Sequence, residues 1–567
     1  MSLRESPFSD GILEALHAVG WGLIFPCFWF LDRLIANCVF TTLEREQRRE
    51  ELLPLQVIFG SILFFILFLI STPFALLGFV LWAPLQAVRR PFSYHQQVPI
   101  IPMEDRNARW EETDKVSFGF VSANLCLLPD GLARVNNLGH TQQRAEIIGQ
   151  NIVQGVTRPH IRIFVDSPSS CGTVTPSSSL LPQAAPSTYG SVDPAAGQVE
   201  GAESDGNIPN SSSRNSVASS EEPDGSKPNC NQNSNQHGSQ VHRHPPRALR
   251  TLFRDSDVPM EVSALFPPTV DIVCLEEVFD KRAAFKLMRA LGPLYGHVIY
   301  DVGVYAFQPP GTCSSFKFFN SGLFVASRFP VIEARYNCFP NGCGEDALAA
   351  KGLLSLKVEI GLQKGDKKMV GYFNCTHLHA PEGHGGIRFE QLNMLTKWIN
   401  EFQAGTKKAD EMVMFDVLCG DFNFDNCSPD DNLEQRHGLF EDYRDPCRAG
   451  PGQEKPWVIG TLLEQPTLYH ENVRTPDNLQ RTLESEELRS GYLSSPVPMT
   501  GVPMVYPKPD QPWVGRRIDY LLYRENSISS HCKTEVEEFT YVTQLAGLTD
   551  HIPVGFSLCV TLGPEDI

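Results

Sequence analysis

The sequence predicts a mixed α/β or α+β globular domain preceded by two apolar, membrane-embedding segments. Two observations support this fold class. Runs typical of β-strands recur through most of the chain and are interspersed with a few helical segments. The first 90 residues, in contrast, contain long apolar stretches without charge. With 567 residues, the chain is long enough for two or three structural units.

The N-terminal apolar region consists of two segments separated by a charged strip. The first, residues 18–31, is short for a membrane crossing and contains Pro26, which is expected to break a helix. The second, residues 52–88, is long enough to cross once, but three further prolines are expected to divide it. Because basic residues flank these segments, the sequence predicts a membrane-embedded helical hairpin with both ends on the cytosolic side. Two spans, or one span plus an interfacial helix, are the alternatives.

The remaining chain divides by composition. Residues 91–116 are polar and are predicted to be a connector, and residues 117–165 begin the globular domain. Residues 166–247 are rich in Ser, Pro, Gly, Asn and Gln, with too few apolar side chains to offset the entropy of ordering. They are therefore predicted to be a disordered insertion, and residues 248–567 complete the globular domain.

The signals for strands and helices alternate irregularly within the globular domain. Strands are predicted at residues 117–128, 161–165, 269–275, 321–327, 353–359, 368–377, 412–418, 517–523, 537–543 and 552–560. Helices are predicted at residues 144–150, 280–290 and 387–402. Residues 446–512 are rich in Pro, Gly and charge and are predicted to be irregular excursions from the sheet.

Charge and cysteine content restrict the class of partner. The formal net charge is −18, which disfavours nucleic acid, because the neutralisation of phosphates needs a basic surface. The 15 cysteines are scattered, without CxxC pairs or a Cys/His spacing typical of metal sites. This pattern predicts mostly reduced thiols in a protein that faces the cytosol.

The string C-G-D-F-N-F-D at residues 419–425 follows a predicted buried strand. Gly420 is expected to end the strand and to turn the backbone, so that Asp421 and Asn423 project together. A carboxylate and an amide in this position suit the binding of a phosphate, a metal ion and an attacking water. Asp and Asn are also common in surface turns, so this string needs support from others. Phe422 and Phe424 are predicted to be core residues.

Similar polar groups stand at the ends of four other predicted strands. They are Asn124, Glu277, the pair His377 and His379, and the pair Asp550 and His551, with Asp519 shortly before the last pair. The two histidines of the first pair alternate with Leu378 and are expected to share one face of a strand. Taken singly, each of these residues could equally belong to a turn, a helix cap or a structural contact. As a set they predict metal-assisted hydrolysis of a phosphoester, because Mg²⁺ prefers oxygen ligands and a histidine oriented by a carboxylate activates water.

The ordered set of strings resembles the exonuclease–endonuclease–phosphatase superfamily and, within it, the magnesium-dependent neutral sphingomyelinases. The resemblance is carried by C-L-L-P-D-G-L-A-R-V-N-N-L, Y-D-V-G-V-Y, L-C-G-D-F-N-F-D-N-C-S, G-R-R-I-D-Y and V-T-Q-L-A-G-L-T-D-H-I-P-V. It implies a DNase-I-like fold, which is a four-layer α/β/β/α sandwich. It also implies a membrane enzyme of lipid signalling that uses Mg²⁺ to hydrolyse sphingomyelin to ceramide and phosphocholine at neutral pH.

The resemblance implies roles for the metal and base residues. Glu277 would hold Mg²⁺, and His551 would be the general base, oriented or supported by Asp550 or Asp519. The family usually has Gln in the position of Glu276. The additional charge in this chain would either alter the metal affinity or face away from the site.

The resemblance also implies phosphate-binding residues. Asp421 and Asn423 would bind the attacking water and the phosphate, with Asn124 beside them. His377 would contact the phosphate or act as an acid, with His379 as the reserve.

A regulatory loop and a lipid activator are implied as well. Asp346 and Lys351 would exchange partners to open the site, whereas a solvated lysine on a surface helix is the simpler alternative. Anionic phospholipid such as phosphatidylserine would activate the enzyme at the Golgi and at the inner leaflet of the plasma membrane. The palmitoylated cysteine pairs of the family have no clear match, although Cys27 and Cys38 lie near the apolar segments.

Two other classes of function are compatible with the sequence. One is another phosphodiesterase of the same fold, acting on a lysophospholipid, an inositol phosphate or DNA. The acidic total disfavours a nuclease, and an inositol phosphatase should have more Lys and Arg around its site. The other is a membrane scaffold with an inactive hydrolase domain, which the complete polar set disfavours.

Overall fold

A computed structural model describes residues 3–48, 54–100, 115–158, 258–307, 316–362, 367–499, 501–503, 514–525 and 532–562. The predicted strand at 161–165 and the predicted disordered insertion at 166–247 lie outside these residues.

The helices and strands alternate without a repeating unit. The helices are α1 (Gly11–Cys38), α2 (Thr42–Arg48), α3 (Pro54–Leu85), α4 (Asp130–Ala133), α5 (Thr141–Thr157), α6 (Lys281–Tyr295), α7 (Gly385–Thr406), α8 (Leu439–Asp442), α9 (Pro476–Glu484) and α10 (Glu486–Arg489). The strands are β1 (Ser93–Gln96), β2 (Lys115–Asn124), β3 (Met260–Ser263), β4 (Val270–Glu276), β5 (His297–Tyr300), β6 (Phe324–Ser327), β7 (Val331–Cys338), β8 (Gly352–Leu362), β9 (Lys368–His377), β10 (Glu411–Asp421), β11 (Arg448–Gly450), β12 (Gln453–Glu454), β13 (Asp519–Tyr523), β14 (Cys532–Val542) and β15 (Val554–Leu562).

Two sheets pack face to face in the globular domain. The larger has eight strands in the order β1-β5-β6-β4-β2-β15-β14-β3, and the smaller has five in the order β13-β10-β9-β8-β7. Aromatic rings fill the space between them. Phe120 of β2 lies 6.0 Å from Phe373 of β9 and 5.0 Å from Phe415 of β10, measured between ring centroids. Such contacts bury the inner face of both sheets in one apolar core.

Helices cover the outer faces of the two sheets. Ile148 of α5 and Leu287 of α6 share a buried cluster with Val121 on the outer face of the larger sheet. Leu395 of α7 and Leu418 of β10 belong to a corresponding cluster outside the smaller sheet. The result is the predicted four-layer α/β/β/α sandwich.

Most predicted elements are confirmed, with shifted ends. Six strands were missed: β1, which lies in the predicted connector, the short or edge strands β3, β5 and β7, and the short pair β11 and β12. The region 446–512 was predicted to be irregular, but it contains α9 and α10. Thr475 is the N-cap residue of α9, and its side chain accepts a hydrogen bond from Asn478 N. A local capping interaction therefore defines the start of this helix.

The N-terminal helices form an antiparallel hairpin. Gly20 of α1 lies against Gly78 of α3, where a Cβ on Gly78 would come within 2.6 Å of the Gly20 carbonyl oxygen. Near the opposite end, Asn37 donates a hydrogen bond of 2.9 Å to Ser61 Oγ. Both helices are long and apolar enough to cross a membrane, and only 11% of each apolar window is buried. Glycines at the contact allow the two backbones to approach closely.

The prediction that prolines break these segments was wrong. Pro26 lies inside α1, and Pro73 and Pro84 lie inside α3. A proline removes one backbone donor, but packing between neighbouring helices and Ser or Thr hydroxyls can compensate in apolar surroundings. Beside Pro73, Thr72 Oγ1 donates a hydrogen bond of 2.7 Å to the Phe68 carbonyl oxygen.

The hairpin contacts the globular domain at several turns of α1. The Lys281 ammonium lies 4.9 Å from the ring centroid of Trp21, and Arg33 forms an ion pair of 3.1 Å with Asp130. Twelve residues of helix separate these contacts, which corresponds to about 18 Å. Helix α1 therefore runs along the surface of the domain.

Candidate active site

The predicted polar residues converge where strands of the two sheets end. In the smaller sheet, Asp421 stands in register with His377 of β9 on one side and with Asp519 of β13 on the other. In the larger sheet, Asn124 is paired with Glu276, so Glu277 follows directly. A hydrogen bond of 2.9 Å from Asn124 Nδ2 to Asp421 Oδ2 connects the two sheets. The strand ends thus form one buried polar site.

Gly420 positions Asp421, but not by ending the strand as predicted. Strand β10 continues through Gly420 to Asp421. Gly420 has φ +140°, and a Cβ there would lie 1.9 Å from the carbonyl oxygen of Thr376. Only glycine lets the backbones of β9 and β10 approach this closely, so the pairing extends to the carboxylate.

Glu277, His377 and Asp421 form a cluster that can hold a divalent metal ion, since three of their ligand atoms lie within 4.8 Å of one another. His377 Nε2 lies 3.5 Å from Asp421 Oδ2 and 4.0 Å from Glu277 Oε1. Burial, with a contribution from the Asp550 carboxylate, raises the pKa of Glu277 to about 7. Burial likewise raises the pKa of Asp421 to about 6. Crowded carboxylates with raised pKa values are stabilised in their ionised form by a cation, so this donor set fits a hard divalent ion.

His551 is oriented by Asp519. Its Nδ1 lies 2.8 Å from Asp519 Oδ2, and both side chains are buried. Burial lowers the pKa of His551, but the Asp519 carboxylate outweighs it, and the pKa lies well above its ordinary value. Asp550, the other predicted supporter, has its carboxylate Oδ1 3.4 Å from Thr549 Oγ1. The contact with the imidazole is therefore made by Asp519.

Asn423 occupies the turn after Asp421, with φ +55°. Its backbone N–H donates a hydrogen bond of 2.9 Å to Asp421 Oδ1, which holds the turn. Its side-chain Nδ2 donates to the Leu378 carbonyl oxygen at 3.0 Å, so the second amide N–H and the side-chain carbonyl remain for a ligand at the site. The predicted core residues Phe422 and Phe424 are fully buried, which confirms that prediction.

Asp346 and Lys351, the predicted regulatory pair, contact each other through Lys351 Nζ and Asp346 Oδ2 at 3.0 Å. Lys351 is buried and also donates to the Leu378 carbonyl oxygen at 3.0 Å, which excludes the solvated lysine. Burial raises the pKa of Asp346, but Lys351 and His379 outweigh it and hold the pKa well below its usual range. The same carbonyl group of Leu378 thus binds both Lys351 and Asn423.

His377 and His379 do not share one face of a strand, contrary to the prediction. Strand β9 ends at His377, so the alternation of side chains does not extend to His379. Instead, His379 Nε2 lies 2.7 Å from His384 Nδ1 and 3.6 Å from Cys343 Sγ. Sequence reasoning missed His384 and Cys343. The five-residue spacing of His379 and His384 is typical of paired histidine ligands and could have identified His384. Cys343 is 36 residues from His379, and no spacing links the two.

Glu276 is fully buried on the side of the strand that faces the core. Its Oε1 accepts hydrogen bonds from Ser122 Oγ at 2.8 Å and from Cys274 Sγ at 3.1 Å. Burial raises its pKa to about 8, and the Asp519 and Asp421 carboxylates contribute. Its side chain is therefore buried close to the Asp421 and Asp519 carboxylates of the site.

Comparison with known proteins adds two family matches. Residues 12–88 match the family described as neutral sphingomyelinase N-terminal transmembrane region. Residues 229–551, more than half of the chain, match the endonuclease/exonuclease/phosphatase family.

Individual relatives align with this chain over its whole length. The chain is 72% identical to sphingomyelin phosphodiesterase 5 of Danio rerio over 568 residues, covering 100% of both. It is 41% identical to sphingomyelin phosphodiesterase 3 of Homo sapiens over 666 residues, again covering 100% of both. A solved structure of sphingomyelinase C from Streptomyces griseocarneus is 16% identical, covers 51% of this chain and 86% of that chain, and has a TM-score of 0.31, too low to inform the site. The chain therefore belongs to the endonuclease/exonuclease/phosphatase family and, within it, to the membrane-associated neutral sphingomyelinases.

Proposed function

We propose that the site hydrolyses sphingomyelin to ceramide and phosphocholine with Mg²⁺ as cofactor, and that anionic phospholipid activates it. The observation that carries this proposal is the hydrogen bond between Asn124 and Asp421, which joins the two sheets. It brings Glu277, His377 and His551 to the same place. That arrangement supplies a metal ligand, a phosphate contact and a base.

Glu277 is the proposed ligand for Mg²⁺. Its carboxylate is 19% exposed, and burial together with the neighbouring Asp550 and Asp421 carboxylates raises its pKa. A hard cation prefers such oxygen donors and retains several waters. When bound, Mg²⁺ would neutralise a non-bridging phosphate oxygen and the leaving oxygen.

His551 is the proposed general base. Because Asp519 holds the Nδ1–H, Nε2 of the neutral imidazole is the atom that accepts a proton from the attacking water. Asp519 also stabilises the imidazolium that forms. Asp550 acts at a distance, through its charge near Glu277.

The phosphate is proposed to accept hydrogen bonds from His377 and from the second amide N–H of Asn423. Burial, with a contribution from Lys351, holds the pKa of His377 well below its ordinary value, so its imidazole is neutral. Both ring nitrogens lack a hydrogen-bond partner among the described residues. A neutral imidazole with a free N–H favours the role of phosphate contact over that of acid. Asp421 orients the attacking water, and Asn124 keeps Asp421 in place.

The Asp346–Lys351 pair is proposed to be the device through which phosphatidylserine acts. In the described arrangement Lys351 is held by Asp346 and by the Leu378 carbonyl group, which also binds Asn423. If Lys351 exchanged partners, the Leu378 carbonyl group would lose one of its two donors. The position of Asn423, the other donor, would then change, and with it the phosphate site. This link gives an activator a physical route to the catalytic residues.

The hairpin is proposed to lie in the cytosolic leaflet of the Golgi and plasma membranes, with both ends on the cytosolic side. Contacts of α1 with Lys281 and Asp130 support a hairpin that stays beside the domain. The exposed apolar faces of α1 and α3 would enter the lipid. An enzyme tethered to the leaflet of its substrate has a high effective concentration without tight soluble binding.

The test is the release of phosphocholine from sphingomyelin vesicles, with and without Mg²⁺ and phosphatidylserine. Wild type is compared with Glu277→Ala and His551→Ala, and phosphatidylcholine, inositol phosphates and DNA serve as competing substrates. We expect turnover of sphingomyelin that needs Mg²⁺, rises with phosphatidylserine and is lost in both variants. Activity retained by one variant would reassign that residue, and equal turnover of DNA would overturn the proposed substrate.

A further inference from the structure

A second group of metal-binding atoms lies outside the proposed catalytic cluster. Cys343 Sγ is 3.6 Å from His379 Nε2 and 3.6 Å from His384 Nδ1, and the two nitrogens are 2.7 Å apart. The two imidazole rings stack at 5.0 Å. The Cys343 thiol is free. One sulfur and two nitrogens therefore converge on a single point.

These separations match those around a tetrahedral zinc ion. Zn–S bonds of about 2.3 Å and Zn–N bonds of about 2.0–2.1 Å place S and N about 3.6 Å apart and the two nitrogens about 3.3 Å apart. The observed S–N distances of 3.6 Å already have this value. The N–N distance of 2.7 Å is that of a hydrogen bond, and it would open by about 0.6 Å on binding. His384 is only half-buried and can make that adjustment.

The surroundings of His379 are those of a metal-binding histidine. Its Nδ1 lies 3.1 Å from Asp346 Oδ2, which is the carboxylate partner that ligating histidines usually have on their other nitrogen. Its backbone N–H donates to Gln391 Oε1 at 2.9 Å, and the residue is fully buried. The imidazole is therefore held with Nε2 facing Cys343 and His384.

We propose that Cys343, His379 and His384 form a binding site for a thiophilic divalent ion, of which Zn²⁺ fits best. The S/N/N donor set differs in kind from the oxygen-rich cluster around Glu277, so the two sites select different ions. Cys343 and His384 are half-buried, which leaves a path for entry and a fourth position for water or another ligand.

The bound ion would connect three segments of the chain. Cys343 precedes the turn Gly344–Leu348, His379 follows β9, and His384 caps α7. Asp346, in that turn, contacts both His379 and Lys351. Occupancy would therefore stabilise the folded protein and hold this turn in place.

Cobalt(II) provides the direct test, because it occupies zinc sites and reports thiolate coordination by its spectrum. The full-length protein in detergent is stripped of metal, saturated with Mg²⁺ to fill the catalytic site, and titrated with Co²⁺, which is then displaced by Zn²⁺. We expect a thiolate-to-cobalt charge-transfer band and tetrahedral d–d bands that saturate at one equivalent. Cys343→Ser should remove the charge-transfer band and weaken binding by more than about 100-fold, since loss of an outer partner alone costs about 10–100-fold.

Cys427→Ser is the matched control, because Cys427 is also a free, half-buried cysteine but lies outside the cluster. It should retain the full spectrum. Zn²⁺ should raise the thermal unfolding midpoint of wild type and of this control, but not of Cys343→Ser. If Cys343→Ser does not fold, His384→Ala replaces it as the test variant, because His384 is half-buried at the start of α7. This variant should bind Co²⁺ more weakly than wild type. The absence of a charge-transfer band in wild type, its persistence in Cys343→Ser, or unchanged affinity in His384→Ala would overturn the site.

Discussion

His551 Nδ1 lies 2.8 Å from Asp519 Oδ2, a contact that joins the segment before β15 to the first residue of β13. Both residues are buried. The contact selects the tautomer in which Nε2 is free to accept a proton. Asp550, adjacent in sequence, does not make it in the structure, so the orienting carboxylate comes from a different strand.

Asp519→Asn should lower kcat by about 10²–10⁴-fold, because the imidazole loses both its orientation and the charge that stabilises its protonated form. A base must be neutral, and Asp519 is the main cause that raises the pKa of His551. The acid limb of the pH–rate profile should therefore move to lower pH in the variant. Steady-state kinetics between pH 5 and pH 9 measures both effects. Asp550→Asn is the control, with a smaller loss of rate, and an unchanged acid limb in Asp519→Asn would argue against His551 as the base.

Glu276→Gln should stabilise the protein at alkaline pH. The folded state holds the Glu276 proton up to a pKa of about 8, whereas the ordinary value is 4.5, so the folded state binds more protons between these values. Stability of the wild type must then fall as pH rises through this window. Thermal unfolding in EDTA should show a higher midpoint for Glu276→Gln at pH 8, and the difference should approach zero as the pH is lowered to about 4.5. Glu146→Gln, at an exposed position, should behave as wild type at both values.

Gly420→Ala should destabilise the fold by more than about 2 kcal/mol and abolish activity. The added Cβ would lie 1.9 Å from the Thr376 carbonyl oxygen, so β9 and β10 would have to separate just before Asp421. The thermal midpoint and phosphocholine release report the two effects. Gly386→Ala, where a Cβ meets nothing within 4 Å, is the control and should leave both unchanged. Wild-type stability in Gly420→Ala would show that the close approach is not required.

Lys351→Met should destabilise the protein by about 3 kcal/mol, because it leaves the mostly buried Asp346 carboxylate without its cation. The double variant Asp346→Asn/Lys351→Met should lose less stability than the sum of the two single variants, since the unpaired charge is absent. The two single variants, Asp346→Asn and Lys351→Met, should also lose their activation by phosphatidylserine. Additive losses of stability, together with a normal lipid response, would contradict the pairing and its regulatory role.

Local patterns predicted much of the sheet. Strand β9 was predicted with its observed bounds, Lys368–His377, because its apolar run ends at polar residues. Buried Phe422 and Phe424 were also predicted, since aromatic residues beside a buried strand belong to its core. The prolines of α1 and α3 misled the prediction, because the sequence alone does not show that two packed apolar helices tolerate a proline in their interior.

The sequence by itself determined which residues are the candidates for the chemistry, since Asn124, Glu277, Asp421 and His551 are recognisable by their place at strand ends and by a family resemblance. Only the tertiary structure decided which of the polar side chains contact each other. In the structure His551 contacts Asp519, and Glu276 is buried against Ser122. His379 lies beside Cys343 and His384 instead of sharing a strand face with His377. The physical reason is that strand alternation fixes side-chain direction only within a strand, whereas contacts beyond its end depend on segments distant in the chain.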